Sequence, residues 1–255
     1  MRVARFSHQG RIGFGIVDED ALVELSGDPI LGLWDTTGNR IPLGEAKLLA
    51  PVIPRSKVVA VGRNYAKHAA ELGNDVPTQP LVFLKPNTSV IGPGDAIVLP
   101  PESESVHFEG EVALVIGSVA RRLTPDNALS AVFGVTVAND VTARDLQRAE
   151  GQWVRAKGFD TFCPLGPAIE TEPDWDALRV ITRVDGEVRQ DGVSSDWVFD
   201  VPTVLTWITA AMTLLPGDVV LMGTPEGVGP LEPGQTVEVE VPGVGTLRSP
   251  VVAHA

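Results

Sequence analysis

The sequence predicts an α+β protein with a strongly β-rich core, and three observations predict it. Short apolar runs rich in Val, Ile and Leu recur along the 255 residues, 21 prolines and 26 glycines are spread between them, and the regular strand–helix–strand alternation of a parallel α/β sheet is missing. A hydrophobic content of 44% is ample for a buried core at this length.

Taken in order, "RIGFGIVDEDALVEL" (11–25) reads as two strands joined by a turn at "DED". Pro51 and Pro54 in "LLAPVIPRSKVVAVG" then interrupt regular structure and predict a linker near residues 50–55. The linker divides the chain into a small N-terminal β-containing domain, residues 1–52, and a main domain, residues 53–255. In the main domain, strands are expected at 57–62, 81–84, 96–99, 110–117, 132–138, 179–184, 218–222 and 236–241, and helices at 65–72, 143–149 and 202–211. Pro-Gly precedes three of these strands, in "GPGDAIVL", "LPGDVVLM" and "EPGQTVEV". The pairing suits type II turns, because proline fixes φ and glycine accepts positive φ.

Charge and cysteine content narrow the function class. With 20 Lys and Arg against 33 Asp and Glu, the net charge of −13 repels phosphate backbones, so nucleic acid is not an expected partner. No apolar run approaches the roughly 18 residues that would mark a membrane span. A single cysteine, Cys163, and an N-terminus without an apolar signal core point to the cytoplasm.

The stretch "VHFEGEVALVIG" (106–117) carries the most informative irregularity. In a strand, Glu109 and Glu111 share one face while Phe108, Gly110, Val112, Leu114 and Ile116 take the other. Two like charges about 7 Å apart on a partly buried face repel and lose hydration, so a solvated edge or a bound cation must offset the cost. A third carboxylate, Asp140, ends the apolar run of "FGVTVANDVTARDLQ", just before Thr142 and Asp145 at the spacing of a helix capping box. Three carboxylates without a Cys or His cluster make an all-oxygen donor set, which suits Mg²⁺, Mn²⁺ or Ca²⁺ better than zinc. Removing Glu109 or Asp140 is expected to abolish turnover and lower metal affinity while leaving the fold largely intact.

In "VGRNYAKHAAEL", His68 and Glu71 lie at i and i+3 on a short helix, where a carboxylate orients an imidazole as a general base. A surface ion pair has the same spacing. Arg144 and Gln147 stand at i and i+3 after Asp140, Lys157 opens "KGFDTFCPLGP", and Thr224 lies in the Gly-rich loop of "LMGTPEGVGP". A cation here is a candidate to hold a substrate carboxylate or stabilise enolate charge, although any of Arg144, Gln147 and Lys157 could equally be a surface group, and Thr224 with free backbone N–H groups is a candidate to bind a carboxylate.

In order, "VGRNYAKHAAEL", "FLKPNTSVIGPGD", "HFEGEVALVIG", "VANDVTARDLQ", "KGFDTFCPLGP" and "GDVVLMGTPEGVGPLEPGQTVEVEV" resemble the fumarylacetoacetate hydrolase family over residues 57–250. The resemblance implies a β-rich roll as catalytic domain, a homodimer, and Mg²⁺ or Mn²⁺ at Glu109, Glu111 and Asp140. It implies further that His68 and Glu71 activate water, and that Arg144, Gln147, Lys157 and Thr224 contact a small 2-oxo acid. The first fifty residues look like the short N-terminal region of acylpyruvate hydrolase, oxaloacetate decarboxylase and 2-hydroxyhepta-2,4-diene-1,7-dioate isomerase relatives. The expected function is metal-dependent cleavage of a C–C bond in a 2-oxo or 1,3-dicarbonyl acid, of the acylpyruvate hydrolase or oxaloacetate decarboxylase type. Enol–keto isomerisation is the alternative. A non-catalytic Ca²⁺-binding protein ranks lower, because Ca²⁺ takes about six to eight oxygens, often from one loop.

Overall fold

The computed structural model describes residues 1–254. Its frame is a twelve-stranded sheet in which Cys163–Glu170, Val132–Asn139, Gly110–Ile116, Val219–Leu221, Val58–Gly62 and Leu81–Lys85 follow one another in that spatial order, the last forming one edge. A five-stranded sheet contains Glu187–Val193, Arg179–Val184, Thr236–Val241, Gly245–Ala253 and Ile97–Leu99. A three-stranded sheet joins Thr142–Ala143, Val106–Phe108 and Gly229–Pro230. Helices are few and short, the longest described being Val201–Ala211, capped by Asp200, whose side chain accepts from the Thr203 N–H at 2.9 Å. This is the expected β-rich α+β class.

Most main-domain elements fall where the periodicity places them, and the reason is burial. All seven residues of Gly110–Ile116 are buried, because the strand is covered on both faces. Val112, Leu114 and Ile116 join one apolar cluster with Val180 and Val239 of the five-stranded sheet and Leu205 and Ile208 of the long helix. Ala113 and Val115 join the opposite cluster with Leu165 and Leu221. The three Pro-Gly turns form as expected: Gly94, Gly217 and Gly234 have φ of 80, 87 and 92°, and Asp95, Asp218 and Gln235 N–H donate to the carbonyls of Gly92, Leu215 and Glu232.

Strands with mixed or punctuated sequences escape the pattern. Cys163–Glu170 contains Pro164, Gly166 and Pro167, yet it lies between Arg2–His8 and Val132–Asn139. Glu187–Val193 is a sheet edge with a mostly exposed, polar face. The "DED" turn forms between Arg11–Asp18 and Ala21–Leu25. These N-terminal strands continue the large sheet, because Arg2 and Val3 pair with Glu170 and Ile169.

The parallel pairing of Val58–Gly62 with Val219–Leu221 joins segments some 160 positions apart, and Asp218 secures it. Its fully buried carboxylate accepts from the Ser56 hydroxyl (2.7 Å), the Lys57 N–H (3.1 Å) and ammonium (2.8 Å) and the Leu215 N–H (2.9 Å). Burial pushes this carboxyl up, but the bonds from Lys57 and Ser56 prevail and hold it below its ordinary value. Asp218→Ala should therefore cost about 3 kcal/mol in urea unfolding, as loss of a buried, multiply bonded charge does. The contribution of Asp218 should be complete above the unfolded-state value near about 3.9 and fade as pH falls through the lower folded value. A wild-type minus variant stability difference that stays flat from neutral pH into that acid range would refute the assignment.

Candidate active site

The two-stranded ladder of Gly110–Ile116 and Val132–Asn139 does not stop at the Gly110–Asn139 pair. The Asp140 N–H donates to the Glu109 carbonyl at 2.8 Å, and beyond that bond the same two chain segments resume as Val106–Phe108 and Thr142–Ala143 in the three-stranded sheet. Glu109 and Asp140 thus face each other at a bend between sheets. The stretch 106–117 is broken at Glu109, and the strand expected at 110–117 starts just after the break as Gly110–Ile116. The alternation of faces nevertheless survives the break: Phe108, Val112 and Leu114 share one apolar cluster, and Glu109 and Glu111 open on the other side into a cavity of about 290 Å³. Gly110, between them, lies so close to the five-stranded sheet that a Cβ there would stand 2.0 Å from the Thr182 hydroxyl.

Oxygen atoms of Glu109, Glu111 and Asp140 all lie within 4.8 Å of one another, and all three residues are buried. Lys157, near the end of helix Val154–Gly158, donates to Glu109 and to Asp140, each at 2.6 Å. Arg144, at the start of helix Arg144–Ala149, pairs with Glu109 and donates to the Gln147 side chain at 2.5 Å. Lys85, completely enclosed at the end of strand Leu81–Lys85, donates to the second oxygen of Asp140 at 2.6 Å. Glu111 forms no ion pair among the described residues; it accepts the Gly223 N–H at 2.6 Å.

Electrostatics separate the two glutamates. Burial raises the Glu109 carboxyl, but Lys157 and Arg144 outweigh it and hold the group well below its ordinary value. Burial and then repulsion from Asp140 and Glu109 push Glu111 well above its ordinary value. Burial also lowers Lys157, yet Asp140 and Glu109 raise it further and keep it an ammonium. An enclosed all-oxygen donor set containing one carboxylate without a counter-charge suits a hard divalent cation, and these residues fit one.

His68 lies on helix Ala66–Glu71 with Nδ1 3.3 Å from the Glu71 carboxylate. Burial is the largest influence on it and lowers its pKa, which favours the neutral imidazole. Of the nine residues singled out from the sequence, eight line the cavity: His68, Glu109, Glu111, Asp140, Arg144, Gln147, Lys157 and Thr224. Glu71 stands behind His68, where its other oxygen accepts the Gly227 N–H at 3.0 Å. The Thr224 hydroxyl is committed inside the protein, donating to the Gly110 carbonyl (2.9 Å) and accepting from Gln190 (2.7 Å).

Two readings need correction. The Thr142–Asp145 capping box does not form: the helix is capped at Ala143 without a side-chain bond. Thr142 instead donates to the Asp140 carbonyl, and Asp145 accepts from the Ser103 hydroxyl and the Glu104 N–H. Nor can Glu109 or Asp140 be removed harmlessly, because each neutralises buried cations whose isolation would be costly.

Sequence reasoning missed three supports. Lys85 could have been noticed as the one charge in the apolar run "LVFLKP". Asn64 is fully buried and ties the turn before the His68 helix to the Phe199 and Met222 carbonyls (3.1 and 2.8 Å) and the Phe199 N–H. Gln190 reaches from the five-stranded sheet to Gly110 N–H, Thr224 and the Pro225 carbonyl. Their partners are distant in sequence, so no local pattern marks either amide.

Comparison with known proteins agrees with this architecture. Residues 57–252 match the fumarylacetoacetate (FAA) hydrolase C-terminal family model, and residues 1–51 match the Rv2993c-like N-terminal model. Protein Rv2993c of Mycobacterium tuberculosis is 45% identical, the match covering 99% of this chain and 98% of that protein. The mitochondrial oxaloacetate tautomerase FAHD2A of Bos taurus is 42% identical over 83% of this chain and 71% of its own length. The crystal structure of 2-hydroxyhepta-2,4-diene-1,7-dioate isomerase from Mycobacterium marinum superposes with a TM-score of 0.92 at 43% identity, covering 100% of this chain and 99% of that one. The fold, the three-carboxylate pocket and these matches together establish that the chain belongs to the fumarylacetoacetate hydrolase family of enzymes.

Proposed function

We propose that the protein is a Mg²⁺- or Mn²⁺-dependent enzyme that interconverts the keto and enol forms of a 2-oxo acid. The observation that carries this reading is the joint presence, in one cavity, of three buried carboxylates, the cations Lys157 and Arg144, and a neutral imidazole at His68. Glu109, Glu111 and Asp140 would hold the metal, which supplies Lewis-acid polarisation of the oxo and carboxylate oxygens. Arg144 and Gln147 orient the carboxylate; Lys157 faces the enolate oxygen with positive charge. His68 Nε2 takes the proton from the carbon next to the oxo group, and Glu71 fixes the tautomer that leaves Nε2 unprotonated. Return of a proton to oxygen gives the enol, and return to carbon gives the ketone, so the isomerisation consumes no co-reactant. The similar relatives named as a tautomerase and an isomerase support placing this outcome first.

C–C cleavage, which the sequence alone places first, is the second reading, favoured by the oriented His68–Glu71 pair that also suits activation of water. Oxaloacetate and acetylpyruvate with Mg²⁺ or Mn²⁺ separate the outcomes. Decay of enol absorbance without pyruvate release is tautomerisation, pyruvate with CO₂ is decarboxylation, and pyruvate with acetate is hydrolysis. Inertness toward both acids would sink the proposal. A homodimer is proposed on the family resemblance, with light scattering above the 27.0 kDa chain mass as its check. A cytoplasmic setting is proposed on the single, buried Cys163, and no described helix is long and apolar enough to cross a membrane.

Glu111→Gln should fold normally, because Glu111 neutralises no cation, and should lower Mn²⁺ affinity at least about tenfold in calorimetric titration. Asp140→Ala should lose Mn²⁺ binding and also about 3–5 kcal/mol of stability, since Lys85 and Lys157 are left buried beside a missing charge. Unchanged Mn²⁺ affinity in both variants would remove the metal assignment.

The pH profile tests His68. Its lowered pKa means that the active, neutral imidazole persists below the ordinary value near about 6.5 and that kcat declines only in more acidic solution. His68→Ala should lower kcat by about 10²-fold or more and abolish that acid limb, while Mn²⁺ and oxalate still bind. Near wild-type turnover in the variant would reduce the pair to a structural contact.

A further inference from the structure

The cavity is lined by two guanidinium groups that the chemistry above leaves unused, Arg63 and Arg148. Arg63 is half-buried, Arg148 is exposed, and neither forms a hydrogen bond or ion pair among the described residues.

Arg63 is nonetheless held in place. Its backbone is in the left-handed region at φ 57°, and its guanidinium lies 6.0 Å from the centre of the Trp153 ring. Trp153 packs so closely on the preceding Gly62 that a Cβ there would lie 2.9 Å from the indole. The indole meets Phe83 edge-on at 5.3 Å, and Phe83 in turn lies 4.9 Å from Lys157 Nζ. Two aromatic rings therefore form a continuous wall with the metal-side ammonium at one end and the Arg63 guanidinium at the other. Arg148 follows Arg144 by four residues on helix Arg144–Ala149, so it lies on the same helical face one turn away from the carboxylates.

We infer that Arg63, assisted by Arg148, forms a second anion subsite that binds the distal carboxylate of a dicarboxylic substrate. This inference rests on the 2-oxo acid reading. The metal-side groups satisfy one oxo-carboxylate end, Phe83 and Trp153 cover a short carbon chain, and the unpaired guanidiniums meet a second carboxylate, which a planar fork of donors can bind through two oxygens. A cavity of about 290 Å³ has room for a small diacid. Arg63 is on this account a specificity-determining residue for the distal end.

The test compares ligands with one and two recognisable ends on the Mn²⁺-loaded enzyme. Arg63→Gln should raise KM for oxaloacetate by about tenfold or more, the scale of a lost charge-assisted bond, with inhibition constants for oxalate and 2-oxobutyrate within about twofold of wild type. Arg63→Lys should recover part of the loss, and Arg148→Gln should show a smaller loss of the same selectivity. Equal weakening of all three ligands would make Arg63 a support of the metal-side pocket and overturn the subsite. Unchanged oxaloacetate KM in both glutamine variants would overturn it as well. Failure of wild-type protein to bind oxalate at all would instead overturn the 2-oxo acid reading, and the subsite with it.

Discussion

Burying three carboxylates within 4.8 Å of one another is the constraint that shapes this molecule. Left alone, such a cluster would protonate or draw in water, because neither desolvation nor mutual repulsion is compensated. Here the compensation is built from three different elements: Lys85 from a sheet edge, Arg144 and Lys157 from two short helices. Each cation is itself enclosed, so it depends on the carboxylates as much as they depend on it. The site is consequently part of the structural framework.

The bend between sheets makes the arrangement achievable. A straight ladder would carry residues 106–116 and 132–143 through one flat sheet, with Glu109 and Asp140 covered by neighbouring strands. Transfer of both segments into the three-stranded sheet, with the Asp140 N–H to Glu109 carbonyl bond at the crossing, opens a mouth at that point. Gly110 lets the five-stranded sheet approach the bend, and Gln190 from that sheet locks Gly110 and Thr224 together. The His68 helix is then placed over the mouth by Asn64 beneath its first turn and by Glu71 at its end.

Charge is distributed unevenly along the cavity. Carboxylates and their counter-ions occupy the enclosed end, aromatic faces the middle, and unpaired guanidiniums the outer wall. A protein with a net charge of −13 attracts anions only through such local placement.

The sequence by itself determined the β-rich class, the main strands and the three-carboxylate core of the site. These are legible because they rest on local physics: apolar runs long enough to be buried, Pro-Gly turns with their own dihedral preferences, and two glutamates whose spacing puts them on one face of a strand. Residues whose role depends on distant partners were legible only in part. Arg144 and Lys157 could be recognised as cations near the motif, but not as the counter-ions of Glu109 and Asp140. Lys85, Asn64, Gln190 and Asp218 each have at least one partner 55 or more positions away, and nothing adjacent to them signals that contact. Thr142 and Asp145 show the converse, a local motif set aside because Asp140 and Ser103 offered better partners in three dimensions. Only the tertiary structure decided which charges are neutralised and which remain available, because that balance follows from desolvation and from the packing of separate sheets, neither of which a linear pattern contains.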